Sequence, residues 1–164
     1  MGLFSRFFKR SQAQESLSDF DDEVVGDDVS DSLLDDDQIR TALDDLNVDK
    51  AIASHEQWKD RLRQALDGSS PEILDPEAVC RDDRCDLGRW LHGTGRERLG
   101  HHVAFTALVA SHQSFHRQAA RVIELSQSGR KQEAERELDT AYRHASNRVV
   151  LLLKAIRNAL HQEG

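Results

Sequence analysis

From about residue 38 onward, apolar side chains recur in steps of three and four between glycine-bearing breaks, which is the period of the α-helix. Leu46, Ile52, His55, Trp58 or Lys59, Leu62, Ala65 and Leu66 form one stripe, ending at Asp67-Gly68-Ser69-Ser70-Pro71. Asp75-Pro76 reads as a cap followed by a first-turn proline. It opens a shorter helix that carries Cys85, Leu87, Trp90 and Leu91 up to Gly93-Thr94-Gly95. A third stripe runs from about His101 through Phe105, Leu108, Val109, His112, Phe115, His116, Ala119, Val122 and Ile123, and stops at Gly129. The last begins near Arg130 and holds Leu138, Ala141, Ala145, Val149, Leu152, Ile156 and Ala159. No strand alternation competes with this pattern. Four helices with one apolar face each bury those faces by packing together. The expected fold is therefore all-α, an antiparallel four-helix bundle over residues 38–164 with a disordered acidic N-terminal extension.

That extension has two parts. Residues 1–10 place Leu3, Phe4, Phe7 and Phe8 on one side of a helix, with Arg6, Lys9 and Arg10 as its polar part. So short a helix is marginal alone, and two readings stand: a frayed terminus, or a docking peptide that fills a partner's groove or makes a weak membrane-surface contact. Residues 11–37 read as a disordered linker, since residues 15–37 hold 11 acids and no Lys or Arg and cannot bury enough apolar area to offset chain entropy.

Charge distribution narrows the partners. The chain's net charge is -8, from 30 acids and 22 Lys plus Arg; setting aside those 11 acids and the three bases of residues 1–10 leaves 19 of each sign. A neutral body behind an acidic segment lacks the basic field that phosphate backbones demand, so nucleic acid is not an expected partner. The longest apolar run, Val149 to Leu153, is five residues, whereas a membrane span needs roughly 20. Ser5 and Arg6 interrupt the apolar residues near the N-terminus and deny a secretory signal its core, so the expected location is the cytoplasm. Two cysteines, Cys80 and Cys85, in such a chain suit a metal or redox thiol better than a disulfide framework.

Polar residues on the apolar stripes carry the chemistry. His112 and His116 stand four apart, so their rings share one helix face and can grip one ion; a hydrogen-bonded pair is the plainer reading. Their place on the core stripe makes two unpaired imidazoles costly. His55 interrupts the first stripe in the same way, either as a ligand or as a core histidine satisfied by a backbone carbonyl. Cys85 heads a segment in which Gly88, costing roughly 1 kcal/mol against Ala in a helix interior, predicts close approach by another helix. One sulfur and three imidazoles suit a tetrahedral zinc ion. Cys80 would lie about 140° from Cys85 on an ideal helix, which leaves it as a structural or spare thiol, or as a resolving partner after oxidation. His92, His101, His102, His144 and His161 are expected at the surface, and Trp58 and Trp90 as core anchors.

The segments His55-Glu56-Gln57-Trp58, Cys85-Asp86-Leu87-Gly88-Arg89-Trp90-Leu91 and His112-Gln113-Ser114-Phe115-His116 closely resemble the chemoreceptor zinc-binding domain of bacterial signalling proteins. The resemblance covers about residues 45–160. It implies Zn2+ as cofactor, His55, Cys85, His112 and His116 as its ligands, and a four-helix bundle that pairs as a homodimer. In that family the domain is attached to chemoreceptors or diguanylate cyclases, sensing zinc and, in some members, oxidants such as hypochlorous acid through the zinc-bound cysteine. No output domain is legible here, so a standalone regulatory module with a signalling partner of either type is expected. Four protein ligands close a zinc site to water, so no enzyme activity is expected. The alternative is a helical adaptor or zinc buffer in which zinc is a constant structural staple.

Overall fold

Asn47 opens the first helix by accepting the Lys50 backbone N–H on its side chain at 2.8 Å, and Gly68, at φ 74°, closes it in the left-handed conformation that a glycine adopts without strain. The computed structural model describes residue 41 and residues 45–161, without the side chains of residues 157 and 159–161. The segments 1–10 and 11–37, the first residues of the 38–164 domain, and the expected places of Ala159 and His161 lie outside what is described.

The helices are α1 (Val48–Asp67), α2 (Pro76–Cys80), α3 (Asp86–His92), α4 (Thr94–Leu99), α5 (Val103–Gln127), α6 (Lys131–Glu137) and α7 (Arg143–His161). A π-helical turn, Leu138–Tyr142, joins α6 to α7 without a break. No strand occurs among the described residues, so the all-α expectation holds for them. None of these helices is long and apolar enough to cross a membrane. The long helices α1, α5 and α7 pack against one another, and α2 lies along α5. Between them sit Leu62, Leu108, Phe115, Val122, Tyr142, Val149 and Leu153, all fully buried.

Four local expectations are corrected. Leu46 is buried but precedes α1, because Asn47 takes the cap position. The helix expected from Asp75-Pro76 is two helices, α2 and α3. Asp75 does cap α2, accepting from the Glu77 backbone N–H at 3.0 Å, but the chain leaves the helix at Arg81 and re-enters after Cys85, whose sulfur accepts the Gly88 backbone N–H at 3.2 Å. Consecutive Asp82 and Asp83 favour such a turn, and Arg81 grips Asp83 across it at 2.9 and 3.0 Å. Gly93-Thr94-Gly95 is likewise no loop. The chain continues as α4, and Gly95 lies so close under Trp90 that a Cβ there would come 2.8 Å from the indole.

In the last helix the π-turn adds a residue to one turn, and Ala145 and Val149 beyond it are buried as expected. Tyr142 and Leu153 are fully buried where the strict three-four pattern placed Ala141 and Leu152.

Candidate metal centre

Three segments far apart in the chain meet at one point in the core. The helix α1 contributes His55, 4% exposed, and α5 contributes His112 and His116, 0% and 4% exposed. Cys85, partly buried, arrives from the turn between α2 and α3 as the cap residue of α3. One donor atom from each of the four residues lies within 4.8 Å of the others. The Cys85 sulfur is 3.3 Å from His112 Nε2 and 3.7 Å from His116 Nε2, and the two nitrogens are 3.2 Å apart.

The outer nitrogens decide which way the rings face. His55 Nδ1–H donates to the Ala51 carbonyl at 2.7 Å, one turn back in α1. His116 Nδ1–H donates to the Val79 carbonyl at 2.7 Å, which the packing of α2 on α5 brings within reach. A carbonyl only accepts, so each Nδ1 carries the proton and each Nε2 of a neutral ring keeps its lone pair. Phe115 walls the site, with ring centroids 4.8 Å from His55, 5.2 Å from His116 and 5.5 Å from Tyr142.

Electrostatics keep all four groups uncharged before a metal enters. Burial pushes His55 down to about 4, overriding the bond to Ala51 that works the other way. Burial, then the neighbouring rings of His116, His55 and His92, push His112 down to about 2. Burial lowers His116 as well. Burial raises the Cys85 thiol, against the Gly88 and Leu87 backbone amides that favour the thiolate.

This donor set can be tested against an ion. Zinc bound to nitrogen at about 2.05 Å and sulfur at about 2.3 Å in a regular tetrahedron has N–N edges near ~3.3 Å and S–N edges near ~3.6 Å. The observed 3.2, 3.3 and 3.7 Å among Cys85, His112 and His116 each lie close to those edges, and with His55 the four donor atoms lie within 4.8 Å of one another. Soft sulfur with borderline nitrogen and no carboxylate among the four donors is the chemistry of zinc rather than of magnesium or calcium.

The profile of the chemoreceptor zinc-binding domain family matches residues 55–123, from His55 through His116 to the last turns of α5. Residues 55–123 are thus similar to a chemoreceptor zinc-binding domain. Neither the curated proteins nor the solved structures offer a match. The cofactor of the chemoreceptor zinc-binding domain is zinc, and the cluster of His55, Cys85, His112 and His116 is able to hold the ion.

All four residues singled out from the sequence are therefore brought together. His55 is satisfied by a backbone carbonyl, and its ring is also part of the cluster. Gly88 needs its missing side chain, but the close neighbour is the chain's own turn and not another helix: a Cβ would sit 1.7 Å from the Asp82 carbonyl oxygen. Cys80 is exposed at the end of α2, and the helix breaks after it, so an angle around a single helix does not relate the two cysteines. Trp90 is buried, whereas Trp58 is half-buried beneath the Arg61 guanidinium at 4.0 Å. His101 and His144 are exposed as expected, and His102 is half-buried ahead of α5. His92 is exposed too, yet its Nε2 pairs with Asp82 Oδ2 at 2.9 Å beside the cluster. Neither Asp82 nor the Val79 and Ala51 carbonyls carried a sequence signal, because backbone acceptors and turn acids have no spacing rule.

Proposed function

We propose that this protein is a zinc-binding regulatory module of bacterial signalling. In it His55, Cys85, His112 and His116 hold the ion, and Cys85 is the ligand that answers to oxidants or to zinc supply. The observation that supports this reading is the convergence of one sulfur and three imidazoles in a buried pocket, with two rings locked from behind by carbonyls at 2.7 Å. Zinc supplies a fixed positive charge, without redox chemistry of its own, that favours the thiolate over the thiol. The Cys85 thiolate attacks hypochlorous acid; oxygen passes to sulfur, giving a sulfenic acid, and chloride leaves. The oxidised sulfur is a poorer donor. Its release loosens the tie between α1, α5 and the turn that starts α3.

The same reading takes the helical unit as an antiparallel four-helix bundle that pairs as a homodimer in the cytoplasm. It passes its state to a chemoreceptor or diguanylate cyclase partner, with residues 1–10 and the acidic linker as recruiting elements. Four protein donors complete a tetrahedron and leave no place for an attacking water, so the reading includes no enzyme activity.

Two measurements test it. Hypochlorous acid added to the zinc-loaded chain is expected to release zinc at least about tenfold faster than from a Cys85→Ser variant loaded to the same stoichiometry. Equal release rates would remove the role given to that sulfur. The second is proton release. The three rings are neutral near pH 7 and have no proton to lose, whereas the thiol has one. Zinc binding between about pH 6.5 and 8 is then expected to release one proton, and apparent affinity to rise about tenfold per pH unit. Calorimetry in buffers of different ionisation enthalpy counts that proton; a count of three or four would contradict neutral rings.

The full burial of His112 favours a second reading, in which zinc is a permanent staple of a helical adaptor or a buffer. Occupancy that stays constant across physiological free zinc would leave oxidants as the sole stimulus.

A further inference from the structure

Of the three histidines in the cluster, His112 differs in its outer nitrogen. His55 and His116 each place Nδ1–H on a backbone carbonyl, whereas His112 Nδ1 is buried and has no hydrogen bond. A carboxylate oxygen, Asp82 Oδ2, stands 4.0 Å from it, too far for a hydrogen bond. The same oxygen already holds His92 Nε2 at 2.9 Å. Asp82 lies on the turn between α2 and α3, three residues ahead of Cys85, and its backbone is pressed against Gly88.

Proton placement on His112 gives this arrangement its meaning. A neutral imidazole carries a single N–H. Without an ion, His112 Nε2–H donates to the lone pair of His116 Nε2, 3.2 Å away, and Nδ1 needs no acceptor. If Nε2 instead gives its lone pair to a metal, the proton must sit on Nδ1, inside the core. A buried N–H left without an acceptor is destabilising.

We propose that Asp82 is the positioning residue of His112: with the ion held, His112 Nδ1–H donates to Asp82 Oδ2, beside the bonds of His55 to Ala51 and His116 to Val79. This rests on the ligand assignment above. The carboxylate must close by about 1.2 Å to reach a charge-assisted bond of about 2.8 Å, a distance that rotation of one side chain covers. Through His92 the same carboxylate ties the end of α3 to the ring on α5, so the helix that begins at Cys85 is fastened to the centre at both ends. An anionic acceptor also raises the basicity of the ring it orients, which a carbonyl does less strongly.

The test uses the full chain. Zinc affinity is measured by competition with a chromophoric chelator for the wild type, Asp82→Ala, Asp82→Asn and Asp83→Ala. Asp82→Ala is expected to weaken binding about 10- to 100-fold at an unchanged one zinc per chain. Asp82→Asn, whose amide oxygen still accepts, is expected to recover much of that loss. Asp83→Ala, which removes a neighbouring acid that Arg81 grips in the same turn, is expected to weaken binding far less than Asp82→Ala. Long-range proton–nitrogen spectra of the zinc-loaded wild type give a reading that needs no variant to fold. The His112 Nδ1–H signal is expected downfield and protected from exchange, and displaced in Asp82→Asn. Wild-type affinity in Asp82→Ala, or a His112 ring without a proton on Nδ1, would overturn the proposal. Absence of zinc binding by the wild type would overturn the ligand assignment as well, so the two failures are distinguishable.

Discussion

Chelation of zinc from the purified protein is expected to lower its melting temperature by about 10 °C, and readdition to restore it, because the ion joins segments that are far apart along the chain. His55 comes from α1, Cys85 from the turn between two short helices, and His112 and His116 from the middle of α5. The unfolded chain scatters these donors, so the ion binds the native state and stabilises it by mass action. Free zinc at a thousandfold over Kd contributes about 4 kcal/mol. At about 2–4 °C per kcal/mol for a chain of this length, the shift is about 8–16 °C. Each further tenfold in free zinc adds about 1.4 kcal/mol, so the midpoint must climb with zinc concentration. Differential scanning calorimetry across a zinc series, with a chelator as the zero point, reads this directly. A midpoint indifferent to zinc would mean that the folded chain does not hold the ion, and both readings under which zinc matters would fall together.

The second large effect is expected from Gly88→Ala. A Cβ at this position would lie 1.7 Å from the Asp82 carbonyl oxygen, 2.8 Å from its carbon and 3.2 Å from the Asp83 Cα. All three are backbone atoms, which cannot swing aside as the end of a side chain can. The turn must therefore be displaced. That turn presents Asp82 and leads into Cys85, whose sulfur also takes the Gly88 N–H at 3.2 Å. Overpacking of this kind costs about 1–3 kcal/mol, of which the better helix propensity of Ala returns at most about 1 kcal/mol. The larger loss falls on the metal: zinc affinity is expected to drop at least about tenfold as Cys85 is pushed off the tetrahedron. Gly129→Ala is the matched control. Its φ of 73° makes Ala costly there, at about 1–2 kcal/mol, but nothing crowds the new Cβ. It should lower stability and leave zinc affinity unchanged. Equal zinc affinity in both variants would show that the approach at Gly88 does not serve the site.

Much of this molecule is legible without coordinates, for identifiable reasons. Helix ends marked by a side-chain cap or a left-handed glycine follow from local chemistry: Asp67-Gly68 stops α1, Asp75-Pro76 starts α2, and Gly129, at φ 73°, follows α5. Polar rings on apolar stripes are legible too, since burying His55, His112 and His116 needs a reason that hydrophobic patterning does not supply. The break at residues 81–85 was not legible, because a cysteine serving as a helix cap has no place in the usual capping vocabulary, and the apolar residues on either side kept the helical period. The π-turn at Leu138–Tyr142 was equally hidden. An extra residue in one turn leaves no mark in the local pattern, and only the packing of Tyr142 against Phe115, centroids 5.5 Å apart, shows that Tyr142 rather than Ala141 fills the core there.

Residue types, their helical period and their order along the chain were enough to settle an all-helical body and to single out one thiol and three imidazoles, because burial cost and metal preference are properties of the side chains themselves. Packing alone settled how those donors are aimed. The Ala51 and Val79 carbonyls that lock two rings, the turn that carries Asp82 toward His92 and His112, and the pressure of that turn on Gly88 arise from distances between segments. Such distances depend on how three long helices and several short ones fit together, and that information is spread over the whole core and belongs to no local motif.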